Sequence, residues 1–78
     1  MNKSEAKGAT IMAIALLNKE VADWGISYNL EVSDTGEVTV TEIDPDDDYP
    51  SVETFDSYMK AHKHIAMEIM FAREANNP

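Results

Sequence analysis

No cysteine occurs anywhere in the 78 residues, so neither a disulfide nor a thiolate metal site can add stability. The same absence fits a reducing compartment, and we expect a cytoplasmic protein. Glycine and proline number three each and stand singly. No glycine-rich phosphate loop or serine elbow motif is present, and with no thiol nucleophile we expect no enzymatic activity. Long apolar runs are missing too. The stretch from Ile11 to Leu17 spans seven residues, against the roughly 20 that a membrane span needs. Asn18, Lys19 and Glu20 follow it where a secretory signal would carry small residues, so it reads as the buried side of an amphipathic helix. The most informative absence is positive charge: no Lys or Arg lies between Lys19 and Lys60.

What fills that gap is acid. Glu31, Asp34, Glu37, Glu42, Asp44, Asp46, Asp47, Asp48, Glu53 and Asp56 follow one another without a fixed counterion. Elsewhere the charges nearly cancel. Glu5, Glu20 and Asp23 balance Lys3, Lys7 and Lys19, and Lys60, Lys63 and Arg73 outnumber Glu68 and Glu74 by one, so the net charge of -9 comes from the middle third. Such a surface repels phosphate, which excludes direct nucleic-acid binding. It attracts basic protein surfaces instead, including those that themselves bind nucleic acid. A charge of this size on so small a protein exceeds what solubility requires. The ten carboxylates are therefore candidate partner-binding residues, with Tyr49, Tyr28 or Phe55 as an aromatic anchor beside them.

The order of elements follows from periodicity. Ser4 is the expected N-cap of a first helix, in which Ile14, Leu17, Val21 and Trp24 recur at helical spacing and Met12 and Leu16 widen the apolar face. Gly25 ends it. Ile26, Tyr28, Leu30 and Val32 then alternate with polar residues, and Val38 and Val40 repeat the pattern after Asp34-Thr35-Gly36, which suits a three-residue hairpin loop. That register pairs Val32 with Val38 and Leu30 with Val40. Glu42 to Pro50 is an aspartate-rich loop. Ser51 is the expected N-cap of a second helix with Glu53 in its first turn and Phe55, Tyr58, His62, Ile65, Ile69 and Ala72 on its apolar stripe. It extends roughly 36 Å to about Ala75, and Asn76-Asn77-Pro78 ends it. The prediction is a single α+β domain over residues 1–78: helix, strand, strand, helix, with an antiparallel β-hairpin packed against two helices.

Metal and cofactor sites are not expected. An EF-hand alignment puts Glu42, Asp44, Asp46 and Glu53 at ligand positions, but Asp47 stands where the loop needs glycine and Pro50 removes a backbone donor. His62 and His64 point about 200° apart on a helix, and His64 with Glu68 makes only two ligands. A chain this short buries only roughly 60% of its unfolded surface, and oligomerisation is the staple left open. Met67, Met70 and Phe71 mark a candidate homodimer interface on the second helix, the alternative role being a structural or regulatory dimer whose acidity serves solubility.

In its short length, acidity, lack of cysteine and α+β order, the chain resembles small phage-encoded inhibitors of bacterial defence, particularly anti-CRISPR proteins and anti-restriction DNA mimics. That resemblance implies a stoichiometric inhibitor that occupies a nucleic-acid-binding surface of a CRISPR effector or restriction enzyme.

Overall fold

The computed structural model describes residues 2–76, and Met1, Asn77 and Pro78, including the expected helix stop, lie outside them. The order is α1 (Lys3–Val21), a short 3₁₀ turn (Ala22–Trp24), β1 (Ser27–Val32), β2 (Val38–Ile43), β3 (Ser51–Phe55) and α2 (Tyr58–Asn76). The fold is α+β, with both helices covering one face of a three-stranded antiparallel sheet of order β1-β2-β3.

Helix α1 is capped by Asn2, whose side chain accepts from the Glu5 N–H at 2.8 Å. This corrects the expectation for Ser4: Asn2 stands three residues before Glu5, the spacing of a reciprocal cap, and its extended backbone leads into the helix. The helix closes through the 3₁₀ turn onto Gly25 at φ 75°. The left-handed turn favours glycine, and a Cβ there would lie 3.3 Å from the Pro45 ring, pressing on the aspartate-rich loop. Gly36 at φ 89° closes the β1–β2 turn, where the Gly36 N–H donates to the Ser33 carbonyl at 3.0 Å. The pairs Val32–Val38 and Leu30–Val40 form as the alternation requires.

The second helix is shorter than its expected form. Ser51–Phe55 is a strand pairing with β2, so Glu53 and Phe55 belong to the sheet, and the helical span starts at Tyr58 and measures about 28 Å. Ser57 is its cap, accepting from the Lys60 N–H at 3.3 Å. The reason lies in period two: Val52 and Thr54 face one way and Ser51, Glu53 and Phe55 the other, and β-branched residues favour a pleated strand.

The helices run parallel. Near their starts the Thr10 hydroxyl reaches the Tyr58 carbonyl at 3.1 Å, and near their ends the Arg73 guanidinium meets Glu20 at 3.0 Å. Small residues let them approach closely: Ala6, Thr10 and Ala13 on α1, Ala61 and Ala72 on α2 are buried. Leu17 at 1% and Ile65 at 0% exposure join Val21, Val40 and Ile69 in the core, with Ile14, Ile26, Tyr28, Leu30 and Phe55 packed around it. Met12, Leu16, Trp24 and Val32, expected on buried faces, are exposed, because a sheet of three short strands covers only one narrow stripe of each helix.

Asn18 covers the start of one sheet edge. Its side-chain amide accepts from the Tyr28 N–H at 2.7 Å and donates to the Tyr28 carbonyl at 3.1 Å, as a neighbouring strand would.

Candidate functional site

Charge is segregated by layer. Lys3, Lys7 and Lys19 lie on α1 and Lys60, Lys63 and Arg73 on α2, so all six fixed cations belong to the helices. The ten carboxylates from Glu31 to Asp56 belong to the sheet and its loops.

They do not form one continuous surface. Asp34, Glu37 and Asp56 lie at the hairpin-tip end, where Asp56 is paired with Lys60 at 3.0 Å. Glu31 projects from the sheet face opposite the helices. Glu42, Asp44, Asp46, Asp47 and Asp48 gather at the other end, a strand length or about 17 Å away. Both helices end there as well, and each C-terminus adds roughly half a negative charge. Lys19 and Arg73 in the last turns offset part of it.

The gathering has a local cause. Asp44 opens the loop as an Asx turn, its side chain accepting from the Asp46 N–H at 2.9 Å and its carbonyl from the Asp47 N–H at 3.1 Å. The chain folds back, and carboxylate oxygens of Glu42, Asp44 and Asp47 come within 4.8 Å of one another. Three carboxylates that close repel unless water or an incoming cation screens them. Tyr49, 83% exposed, stands on the same loop.

Beneath the loop lies a second, partly buried group that the sequence reading did not assemble. Tyr28, on the inner face of β1 opposite Glu42, donates its phenol to Glu42 Oε2 at 2.5 Å. His64 Nε2 lies 3.6 Å from Glu53 Oε2 and 3.7 Å from Glu68 Oε1, and its ring packs tilted on Phe55 with centroids 5.1 Å apart. The cleft between these groups holds about 40 Å³, room for water and not for a substrate. Only the spacing of His64 and Glu68 was visible beforehand. Tyr28 and Phe55 are half-buried in these contacts, and Tyr49 is the most exposed of the three aromatics.

Burial, the bond to Glu42 and the nearby charges of Glu42, Glu68 and Asp44 push the Tyr28 phenol well above the usual tyrosine value. A raised folded-state value stabilises the fold below the unfolded value, about 10, and that contribution is lost as pH climbs above it. Tyr28→Phe is expected to cost about 1 kcal/mol at neutral pH. In urea titrations the wild type should then lose stability faster than the variant above about pH 10. Parallel pH profiles would show that Tyr28 ionises as freely in the folded protein as in the unfolded one.

Met67, Met70 and Phe71 are 48%, 61% and 56% exposed on α2, and Phe71 borders a shallow cleft with Trp24, Ile26, Tyr28 and Glu68. Among the described residues no helix is long and apolar enough to cross a membrane. Compared with known proteins, the chain matches no family model, no curated protein and no solved structure.

Proposed function

We propose that this protein is a non-enzymatic acidic binding protein whose carboxylate-rich end docks on a basic, nucleic-acid-binding surface of a partner and inhibits it, in the manner of an anti-CRISPR or anti-restriction protein. The supporting observation is the segregation of charge: the fold puts every fixed cation on the helical layer and concentrates Glu42, Asp44, Asp46, Asp47 and Asp48 at the end where both helix C-termini add negative potential. The Glu42, Asp44 and Asp47 carboxylates suit a lysine ammonium or arginine guanidinium, which relieves their mutual repulsion. Tyr49 supplies apolar contact beside them. Steering makes association fast and salt-sensitive. The direct test adds stoichiometric protein to CRISPR effectors and restriction enzymes and measures their DNA binding. Loss of binding that returns with salt is expected for a true partner, and undisturbed binding across the panel would contradict the proposal.

A second reading rests on the helical layer. Met67, Met70 and Phe71 on α2, with Met12 and Leu16 on α1, expose apolar surface on the layer that carries all six fixed cations. Two copies meeting on the helical layer would keep their aspartate-rich loops out of the contact, which supports a homodimer through this layer. Under that reading sedimentation gives a dimer at micromolar concentration that Met70→Glu converts to monomer. A monomeric wild type would end it.

A further inference from the structure

The sheet has two outer edges, and the fold treats them differently. On β1 the Asn18 amide occupies both backbone groups of Tyr28, leaving those of Leu30 and Val32 outward on a strand that is covered at its start, whereas β3 has no such cover among the described residues. That contact also fixes the phase of the ladder. The Ser33 N–H donates to Glu37 across the β1–β2 hairpin, and because hydrogen-bonded pairs alternate in an antiparallel sheet, Thr39, Thr41 and Ile43 bond to β1 while Val38, Val40 and Glu42 turn toward β3. Their partners are Phe55, Glu53 and Ser51. The N–H and C=O groups of Val52 and Thr54 therefore point outward, and no hydrogen bond reaches them among the described residues.

Edges are usually protected by a bulge, a proline, a lysine or a covering segment. Ser51–Phe55 contains neither proline nor lysine, its register with β2 is continuous, and Val52, Glu53 and Thr54 are exposed. Its charge decides what can approach. Glu53 lies on the strand, Asp56 just beyond it, and Asp46, Asp47 and Asp48 in the loop that precedes it. A second copy would bring the same acids against themselves, whereas a basic strand would neutralise them.

We infer that the outer edge of β3 is a docking site for an extended, lysine- or arginine-bearing segment of the partner, which adds to the sheet as a fourth strand. The inference rests on the reading of the acidic side as the binding surface and specifies how that surface is used. Register dictates the pattern recognised. Residues paired with Val52 and Thr54 put their side chains on the outer sheet face, where β-branched or apolar groups fit beside Val52 and the Thr39–Thr54 pair. The residue between them falls on the inner face beside Glu53, with His64 and Glu68 behind, and this is the basic position. Backbone bonds supply affinity and alternate side chains supply specificity.

The experiment follows amide hydrogen exchange by NMR while the protein is titrated with a short capped peptide alternating lysine and valine. A control peptide of equal charge alternates lysine and proline, which cannot pair as a strand. The lysine–valine peptide is expected to bind and to slow exchange at Val52 and Thr54, and V52P or T54P to weaken it by about tenfold or more. These prolines replace outward N–H groups, so the β2–β3 ladder is kept. Should either variant fail to fold, exchange in the wild type still decides. Equal binding of both peptides without protection at Val52 and Thr54 would overturn edge docking and leave acid-driven binding standing. Binding of neither would overturn both. Concentration-dependent protection of Val52 and Thr54 without peptide would identify a second copy as the occupant and overturn the inference.

Discussion

Ile65→Ala should destabilise the protein by about 3 kcal/mol. Ile65 is fully buried in the core cluster formed by α1, α2 and β2. Ala13 and Ala72 of the same cluster have no atoms with which to fill the space that a shortened side chain leaves. The void therefore persists, and the cost includes the lost contacts as well as the lost burial. At roughly 0.05–0.15 kcal/mol per residue, a chain of 78 residues has little stability to lose. The variant should keep only about 1–9 kcal/mol, so at the low end up to about a fifth of it is unfolded at ambient temperature. Met67→Ala, on the exposed side of the same helix, should cost less than about 1 kcal/mol. Urea midpoints for the two variants separate these outcomes, and equal midpoints would mean that the core lies elsewhere.

Reversing Asp46, Asp47 and Asp48 to lysine should weaken binding to a basic partner by about a hundredfold or more, since each charge change contributes about 0.5 kcal/mol and six units are changed. The fold should tolerate it. All three side chains are exposed in a loop, and relief of their repulsion with Glu42 and Asp44 should leave stability unchanged or slightly raised. Reversing Glu31 and Asp34, on the outer face and at the hairpin tip, should weaken the same partner far less. That contrast distinguishes docking at one end from general attraction to net charge. Similar losses from both sets would show that total charge alone matters.

Much of the fold could be read from the sequence because its signals were local. The alternation from Ile26 to Val40 with Gly36 in the turn set the hairpin register, and Gly25 marked the end of the first helical segment. The third strand was missed because two patterns overlapped. Pro50-Ser51 imitates a helix start, and the separation of Phe55, Tyr58 and His62 imitates a helical stripe, while five alternating residues make a short strand signal. Pairing with β2, a tertiary effect, decided between them. The acidic stretch was equally plain as composition. Its division into two ends and an outer face was not, since that depends on where the strands reverse. Asn18 gave no sign of capping Tyr28 on the β1 edge, because a helix side chain and a strand ten residues later are brought together only by packing.

The role of the acidic end is decided by capture from bacterial lysate with the tagged wild type and the triple lysine variant side by side, eluted in rising salt and identified by mass spectrometry. The wild type is expected to retain a nucleic-acid-binding protein that salt releases, and the variant is expected not to retain it. Equal retention by both, or recovery of only the protein itself in a salt-resistant form, would contradict a binding role for the acidic end.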